Sequence, residues 1–343
     1  MRIIKCEGRS VVTVVEAPDP IPGSGEVLIQ TAVSAICGSE LHSYRGDGVP
    51  HGNNGHEAVG TIVALGEGVS NWKIGQRVGV CAISGCGNCA YCAKGQYTWC
   101  PKRRFYGSMH AERFLAAANA CHPLPGDVAW EAGVLLSGDG LGVPYHTSTK
   151  IASREIRTVA VFGVGPIGLG NVLVQAHLGR RVIAVDVSGT RLAMAKNLGA
   201  TDVVNAKEVE TAAQVRTLTG GIGTDVCIEA AGCQETALAC FAAVRTAGTV
   251  VFNGEQGAIP ISPSDQFIRR DITAVGAWFY HFSEFGRMLE LYRNGLRLLD
   301  LISHRYPITE AAAAFEKFAS GQSAKVILEY QSECPTKCAN APS

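Results

Sequence analysis

The pattern of hydrophobic and polar positions changes along the chain and predicts two different architectures. Up to about residue 145, short β-branched runs such as EVLIQTAVSAI, AVGTIVALG and RVGVCAI are separated by glycine-rich turns, which is typical of an all-β, barrel-like domain. The N-terminal stretch MRIIKCEGRSVVTVVE alternates in the same way. We expect it to be the first strand and not a signal peptide.

From about Arg157 onward the apolar runs become continuous. TVAVFG, RVIAVD, DVCIEAAG, GTVVFNG and ITAVGAW each suit a strand buried on both faces, and helical patterns such as GTRLAMAKNLGA and QETALACFAAVRTAG lie between them. This alternation predicts a doubly wound parallel sheet. After about Ala277, helices are predicted at SEFGRMLELYRNG and ITEAAAAFEKFASG, and the strand KVILEY is expected to return to the first domain.

Composition narrows the classes of function. A chain of 343 residues, 47% of them hydrophobic, is long enough for two domains that each have a core. Its 30 basic and 30 acidic residues create no overall field toward nucleic acid or a membrane surface. The most apolar region, residues 158–178, is interrupted by glycines and a proline and is a poor membrane span. We therefore expect a cytoplasmic protein that acts on small molecules.

Four of the thirteen cysteines are concentrated in residues 86–100, with the spacing Cys86-x2-Cys89-x2-Cys92-x7-Cys100. In a long chain of this type, clustered cysteines serve metals more often than disulfides. Four thiolates complete a tetrahedral zinc site and leave no position for a substrate, so a structural zinc is predicted. The alternative is four buried cysteines without a metal. In the polar tail, Cys334 and Cys338 are expected to be surface thiols.

A glycine-rich turn follows the strand TVAVF and opens a helix, in the spacing G-x-G-x-x-G. Such a turn lets the backbone approach a dinucleotide pyrophosphate at the helix N-terminus. The cofactor-binding residues predicted here are Gly163, Gly165, Pro166, Ile167 and Gly168. Asp186 ends the next strand, where its carboxylate can accept hydrogen bonds from ribose hydroxyls and favours NAD. Arg191 could instead accommodate the 2′-phosphate of NADP, which leaves that alternative open.

A second group of metal-ligand types is spread along the chain. Cys37 stands in CGSELH and His56 in GHE, each beside a glycine. A thiolate and an imidazole are both good zinc ligands. Taken singly, however, a cysteine in an apolar strand and a lone histidine are more often ordinary core or surface residues.

These motifs, taken in order, resemble the zinc-containing medium-chain dehydrogenases, which include alcohol, sorbitol and threonine dehydrogenases. The matching segments are CGSELH, GHE, the four-cysteine lobe, GVGPIG, VIAVD, GTDVCIEAAG, and HRYPITEAAAAFEKFASG before KVILEY. The resemblance covers nearly the whole chain and implies an α/β protein in which a GroES-like β-barrel catalytic domain is interrupted by a Rossmann domain. The expected division is 1–145 catalytic, 146–280 NAD-binding, and 281–343 returning to the catalytic domain. A homodimer or homotetramer is expected by the same analogy.

The resemblance also implies a role for each residue of the catalytic motifs. Cys37 and His56 match the ligands of the catalytic zinc, and Glu57 matches the acid beside the metal, which can act as a neighbour or a transient ligand. Ser39 matches the hydroxyl that takes the alcohol proton, and His42 the histidine that ends the proton relay.

The third zinc ligand follows less directly from the resemblance, because Asp139 stands where the family places Cys or Glu. Its carboxylate is one methylene shorter than that of Glu. It is expected to contact zinc directly or through water, with capping of a turn as the alternative. Cys121, His122 and His110 are further candidates that do not fall on the family position.

The function implied is zinc-dependent hydride transfer between NAD and a secondary alcohol or ketone, such as a polyol, sugar or related metabolite. A mixed aromatic and polar pocket wall is expected to include Tyr106, His110, Asn53, Asn54 and residues 278–281. The carboxylate at position 139 also resembles the sorbitol and threonine branch. The alternatives are a simple alcohol dehydrogenase, a zinc-free quinone or enone reductase, and a catalytically silent NAD-binding homologue.

Overall fold

The computed structural model describes residues 1–330 and contains two large sheets. Cys334 and Cys338 lie outside the described residues. The elements of the first part are β1 (Arg2–Gly8), β2 (Val11–Glu16), β3 (Glu26–Ala35), α1 (Glu40–Arg45), β4 (Ala58–Leu65), β5 (Arg77–Val80), β6 (Ile83–Ser84), β7 (Arg104–Phe105), β8 (Arg113–Ala117), β9 (Cys121–Pro123), α2 (Trp130–Ser137) and α3 (Asp139–Lys150).

The middle of the chain alternates strands and helices, as its continuous apolar runs predict. Its elements are β10 (Thr158–Phe162), α4 (Pro166–His177), β11 (Arg181–Asp186), α5 (Gly189–Asn197), β12 (Asp202–Asn205), α6 (Thr211–Leu218), β13 (Thr224–Glu229), α7 (Gln234–Ala243), β14 (Val244–Phe252) and β15 (Thr273–Gly276). The last elements are α8 (Phe285–Arg293), β16 (Ile302–Pro307), α9 (Ala311–Ala319) and β17 (Lys325–Glu329).

The six strands of the middle region form one parallel sheet in the order β12-β11-β10-β13-β14-β15. This is the doubly wound order of a dinucleotide-binding fold, in which the strand order reverses beside β10. Along β10 the side chains alternate between two cores. Val159 and Val161 pack on one face, and Ala160 and Phe162 on the other. The prediction of strands buried on both faces is confirmed for β10.

The first and last parts of the chain share the second sheet, in the order β16-β17-β3-β4-β5-β9, with β8 also paired to β3. The antiparallel pairing of β17 with β3 shows that KVILEY returns to the first sheet, as expected. A third core between β1, β17 and α9 is formed by residues such as Ile4, Phe315, Phe318 and Val326.

The structure corrects two local predictions. The N-terminal stretch is a hairpin, β1 and β2, and not one strand, because Arg9 and Ser10 adopt positive φ angles of 53° and 63° at the turn. ITAVGAW was expected to be buried on both faces, yet its strand β15 lies at the sheet edge and Thr273 and Ala274 are exposed. Among residues 1–330, no helix combines the length and apolar character that a membrane crossing requires.

Candidate active site

Strand pairing and a helix start bring four candidate metal ligands to one place. β3 and β4 run antiparallel, and the Ala35 amide donates to the Glu57 carbonyl across 2.9 Å. Cys37 follows β3 where His56 and Glu57 precede β4, so the two motifs meet at the same end of the strand pair. Asp139 reaches this point as the first residue of α3.

The four side chains form a compact, buried cluster. One donor atom from each of Cys37, His56, Glu57 and Asp139 lies within 4.8 Å of all the others. Asp139 Oδ2 is 3.4 Å from Cys37 Sγ and 3.2 Å from His56 Nε2. His56 Nδ1 lies 2.8 Å from the Asn54 carbonyl oxygen, which can only accept, so Nδ1 carries the proton. In the neutral imidazole, Nε2 then has its lone pair toward the cluster, as a zinc ligand requires.

The cluster fits a bound zinc ion. Asp139 Oδ1 is buried and has no hydrogen-bond partner among the described residues, although buried polar atoms are normally paired. Burial opposes the charged imidazole, yet Cys37 and Asp139 raise the pKa of His56 well above its usual value. The site therefore favours a positive charge, and thiolate, imidazole and carboxylate are the donors that zinc takes in proteins.

Glu57 is already engaged by another charged group. Its Oε1 forms an ion pair with Lys325, and the two side chains are 0% and 1% exposed. Burial disfavours the charged amine, but the Glu57 carboxylate raises the pKa of Lys325. Glu57 Oε2 lies 3.3 Å from the amide of Gly140, and a Cβ on Gly138 would come within 2.5 Å of the same oxygen. This arrangement favours a position beside the metal over direct ligation.

The metal-ligand cluster opens on a cavity of about 640 Å³ between the two sheets. The lining residues from the first part of the chain are Cys37, Gly38, Ser39, His42, Asp139 and Val143. The opposite wall consists of Ile167, Ala230, Ala231, Gly232, Asn253, Gly254, Glu255, Ala277, Trp278 and Phe279. Ser39 and His42, the predicted proton-relay residues, are both exposed in this cavity.

The predicted dinucleotide turn lines a second cavity of about 810 Å³ that shares Ala230 and Ala231 with the first. Gly163 has a φ of +83°, and a Cβ there would lie 2.6 Å from Ala231. A Cβ on Gly168 would come within 1.9 Å of the Gly163 carbonyl oxygen, so both positions require glycine. Pro166 is the first residue of α4.

Asp186 and Arg191 flank this turn. The two oxygens of Asp186 each accept a backbone amide at 2.8 Å, from Val164 and from Ser188. This fixes the carboxylate at the end of β11. The Arg191 guanidinium lies beside Gly165, and its buried Nε has no partner within the described residues. A carboxylate for ribose hydroxyls and an unpaired cation for a phosphate are the groups that a dinucleotide needs.

The four-cysteine lobe has the dimensions of a tetrahedral thiolate site. Sγ of Cys92 lies 3.5 Å from that of Cys89 and 3.9 Å from that of Cys86. With zinc–sulfur bonds of about 2.3 Å, sulfur atoms at tetrahedral corners are about 3.8 Å apart. A backbone hydrogen bond from Asn88 lowers the pKa of Cys86 to about 6. Cys100 Sγ, the fourth, accepts the Cys86 amide at 3.4 Å.

The other predicted candidates have different places. The side-chain amide of Asn53 donates to the carbonyl oxygens of Ile4 and His110, and its Oδ1 accepts the His110 amide. His122 is buried between the rings of Phe282 and Phe285, at centroid distances of 4.0 and 4.1 Å.

Tyr106 lines another surface cavity and bonds Glu26, so it was wrongly assigned to the pocket wall. The assignment of His110 to the pocket wall was also wrong, because its side chain is fully buried against Glu40. Cys121 is buried in the core. Within the expected segment 278–281, Trp278 and Phe279 are the cavity residues.

Sequence reasoning missed Lys325 and Glu40. Lys325 had a usable signal, since it begins the buried strand KVILE, where a lysine needs a counter-charge. Glu40 lies in the CGSELH motif but carries no local sign that its partner is His110. Phe105, which contacts the His56 ring at 5.6 Å, was also missed.

Comparison with known proteins gives consistent matches over both sheets. The model of the alcohol dehydrogenase GroES-like domain matches residues 23–126, and that of the zinc-binding dehydrogenases matches residues 166–294. The chain is 31% identical to a sorbitol dehydrogenase of Halalkalibacterium halodurans, with 94% of this chain and 96% of the relative covered. It is also 31% identical to the uncharacterized zinc-type alcohol dehydrogenase-like protein YphC of Escherichia coli, over 94% and 97% of the two chains.

A solved structure shows the same architecture over the described chain. Alcohol dehydrogenase TADH from Thermus sp. ATN1 superposes with a TM-score of 0.88 at 29% identity, covering 96% of this chain and 100% of that one. The match therefore includes both sheets and the cleft between them.

Proposed function

Since the chain belongs to the zinc-dependent medium-chain alcohol dehydrogenases, we propose that it oxidises a secondary hydroxyl of a polyol, sugar or related metabolite with NAD. The family assignment makes it an oxidoreductase that uses zinc and NAD. The observation that carries the proposal is one cavity lined both by Cys37 and Asp139 and by residues of the dinucleotide-binding sheet.

We assign the catalytic zinc to Cys37, His56 and Asp139, with Glu57 beside it, and the structural zinc to the four-cysteine lobe. Zinc held by Cys37, His56 and Asp139 would supply a Lewis acid that lowers the pKa of an alcohol oxygen, and NAD held at the turn of residues 163–168 would supply the hydride acceptor. Among the protein groups, Ser39 Oγ accepts the proton of the substrate hydroxyl and gives up its own hydroxyl proton toward His42, and the exposed imidazole of His42, having taken up that proton, releases one to solvent. The ammonium group of the buried Lys325 opposes the rise in the pKa of Glu57 that burial causes beside the cluster.

We assign the cofactor to the turn of residues 163–168, with Asp186 at the ribose and Arg191 near the phosphates. We also propose the division 1–145, 146–280 and 281–343, in which α3 crosses the first boundary and links the two sheets. The edge position of β15 supports a homodimer that pairs there, because an exposed strand edge can pair with a second copy. The cytoplasmic location stays a prediction.

The test is NAD reduction across simple alcohols, polyols, sugars and amino alcohols, with metal content measured on the same protein. We expect turnover of a polyhydroxylated secondary alcohol and two zinc ions per chain, one in each cluster. His56→Ala should lose the catalytic zinc and nearly all turnover while it still binds NAD. Full activity of this variant would contradict the assignment, and a well-folded, zinc-free wild type would favour the quinone or enone reductase.

A further inference from the structure

We propose that the substrate carries an anionic group, a phosphate or a carboxylate, and that Arg103 binds it at the rim of the catalytic cavity. This rests on the proposed function and names the substrate class more closely. Lys102, Arg103 and Arg104 form an exposed basic run that directly precedes Phe105. It therefore connects the four-cysteine lobe to a residue in contact with the metal-ligand cluster.

The short strand β7 comprises Arg104 and Phe105, whose side chains point to opposite sides. Arg103 directly precedes β7, and its contacts place it on the side of Phe105. The Arg103 guanidinium lies over the Trp278 ring, 5.7 Å from its centroid, and the Phe105 ring is 6.0 Å from Phe279.

Arg104 faces away from the cavity. Its guanidinium lies 5.1 Å from the Tyr106 centroid and 3.4 Å from a Glu26 carboxylate oxygen. Neither Tyr106 nor Glu26 is part of the cavity that holds Cys37 and Asp139. Arg103 and Arg104 therefore have the same charge but lie on different surfaces, Arg103 beside Trp278 and Arg104 beside Tyr106 and Glu26.

The wall beneath Arg103 belongs to the catalytic cavity. Trp278 and Phe279 line it together with Cys37 and Asp139, and Phe105 also lies 5.6 Å from the His56 ring. Trp278 and Phe105 are 41% and 53% exposed, so these rings form an open apolar rim. A substrate with its hydroxyl at the metal-ligand cluster would extend its far end past this rim.

Arg103 has its full charge available there. Within residues 1–330 no carboxylate forms an ion pair with it, and its one side-chain interaction is with the Trp278 ring. Glu255 also lines the cavity and repels anions. It makes no bond to Arg103, so it does not neutralise the guanidinium. A planar guanidinium held on an aromatic ring still presents its edge for bidentate hydrogen bonds to phosphate or carboxylate.

The experiment compares sorbitol, sorbitol 6-phosphate and gluconate as substrates of the zinc-loaded enzyme with NAD. We expect the wild type to have a higher kcat/KM for one of the anionic compounds, and the better one identifies phosphate or carboxylate as the group recognised. Arg103→Gln should raise KM for that compound by about 10-fold with little change in kcat. Arg103→Lys should recover part of the loss, because it keeps the charge.

Arg104→Gln is the matched control, since it removes the same charge on the other side of the strand. Equal effects of the two substitutions, or a wild-type preference for sorbitol, would overturn the proposal and leave the polyol dehydrogenase assignment intact. If none of the three compounds turns over, calorimetric titration of each into the enzyme with NADH decides. Binding of an anionic compound that is lost in Arg103→Gln supports the anion site, and no binding of either one rejects it. Absence of turnover of the whole panel of alcohols counts against the proposed function itself.

Discussion

Glu40 and His110 are joined by a buried hydrogen bond of 2.9 Å directly behind the candidate zinc ligand Cys37. The other oxygen of Glu40 accepts the Cys37 amide at 2.8 Å. On the far side, His110 Nδ1 is 2.8 Å from Ser34 Oγ, which is 2.9 Å from the hydroxyl of Tyr330. These hydrogen bonds link the Cys37 amide through Glu40 and His110 to Ser34 and Tyr330, so they fix the backbone of the Cys37 loop.

Replacement of His110 tests this support. His110→Phe keeps a planar ring but leaves the buried Glu40 carboxylate without its partner, which should lower the free energy of unfolding by about 2–4 kcal/mol. Denaturant unfolding of the metal-free protein measures the effect. A loss below about 0.5 kcal/mol, the usual range for surface substitutions, would show that the bond is not important for stability.

A double variant separates stability from positioning. Glu40→Leu added to His110→Phe removes the unpaired charge and should restore part of the unfolding free energy. The Cys37 amide still lacks its acceptor, so zinc should be lost to a chelator faster than in the wild type. Recovery of both properties together would argue against a positioning role of Glu40.

The ion pair of Lys325 with Glu57 gives a second prediction. Lys325→Met keeps the length of the side chain but leaves a fully buried carboxylate unpaired, at an expected cost of about 3–5 kcal/mol. Thermal and denaturant unfolding provide the measurement. Lys73→Met, at an exposed position, is the control and should stay within about 0.5 kcal/mol of the wild type. Equal stability of both variants would mean that Glu57 is protonated or solvated without Lys325.

Local patterns in the sequence were sufficient for the parts of the fold that depend on neighbouring residues. The runs around Val159 and Val185 predict buried parallel strands, and the spacing of Gly163 and Gly168 predicts the tight turn. The same reasoning failed for ITAVGAW, because an edge strand and a central strand have similar apolar runs. Which strand lies at the edge is decided by the order of all six.

The candidate site depends on contacts that no local pattern contains. Asp139 lies 102 residues from Cys37, and Lys325 lies 268 residues from Glu57. Family resemblance supplied the first pair, because position 139, the first residue of α3, matched the position at which the family places a ligand. It did not supply Lys325, whose role follows from the pairing of β17 with β3 and the complete burial of both charges.

His122 should contribute a measurable part of the acid sensitivity of the protein. Burial lowers the pKa of His122 to about 3 in the folded state, against about 6.5 in an unfolded chain. Below about pH 6.5, His122 therefore binds a proton in the unfolded state but not in the folded state. The contribution of His122 to the free energy of unfolding is therefore most favourable above its unfolded pKa. It falls by about 2 kcal/mol between pH 7 and pH 5. His122→Phe should reduce the pH dependence of the unfolding free energy by this amount, since the carboxylates are common to both proteins. Parallel curves for the two proteins would contradict the buried neutral state.

Asp186 should determine the preference between NAD and NADP. Its carboxylate would repel a 2′-phosphate, whereas Arg191, five residues later, would attract one. Asp186→Asn keeps the shape and one carbonyl acceptor for the amides of Val164 and Ser188, and it removes the charge. We expect the ratio of kcat/KM for NAD to that for NADP to fall by about 10-fold, mainly through KM. Adding Arg191→Gln to this variant should abolish the gain in NADP use, because no cation would remain to balance the 2′-phosphate. An unchanged ratio in Asp186→Asn would show that the carboxylate holds the turn through Val164 and Ser188 and has no part in the choice of cofactor.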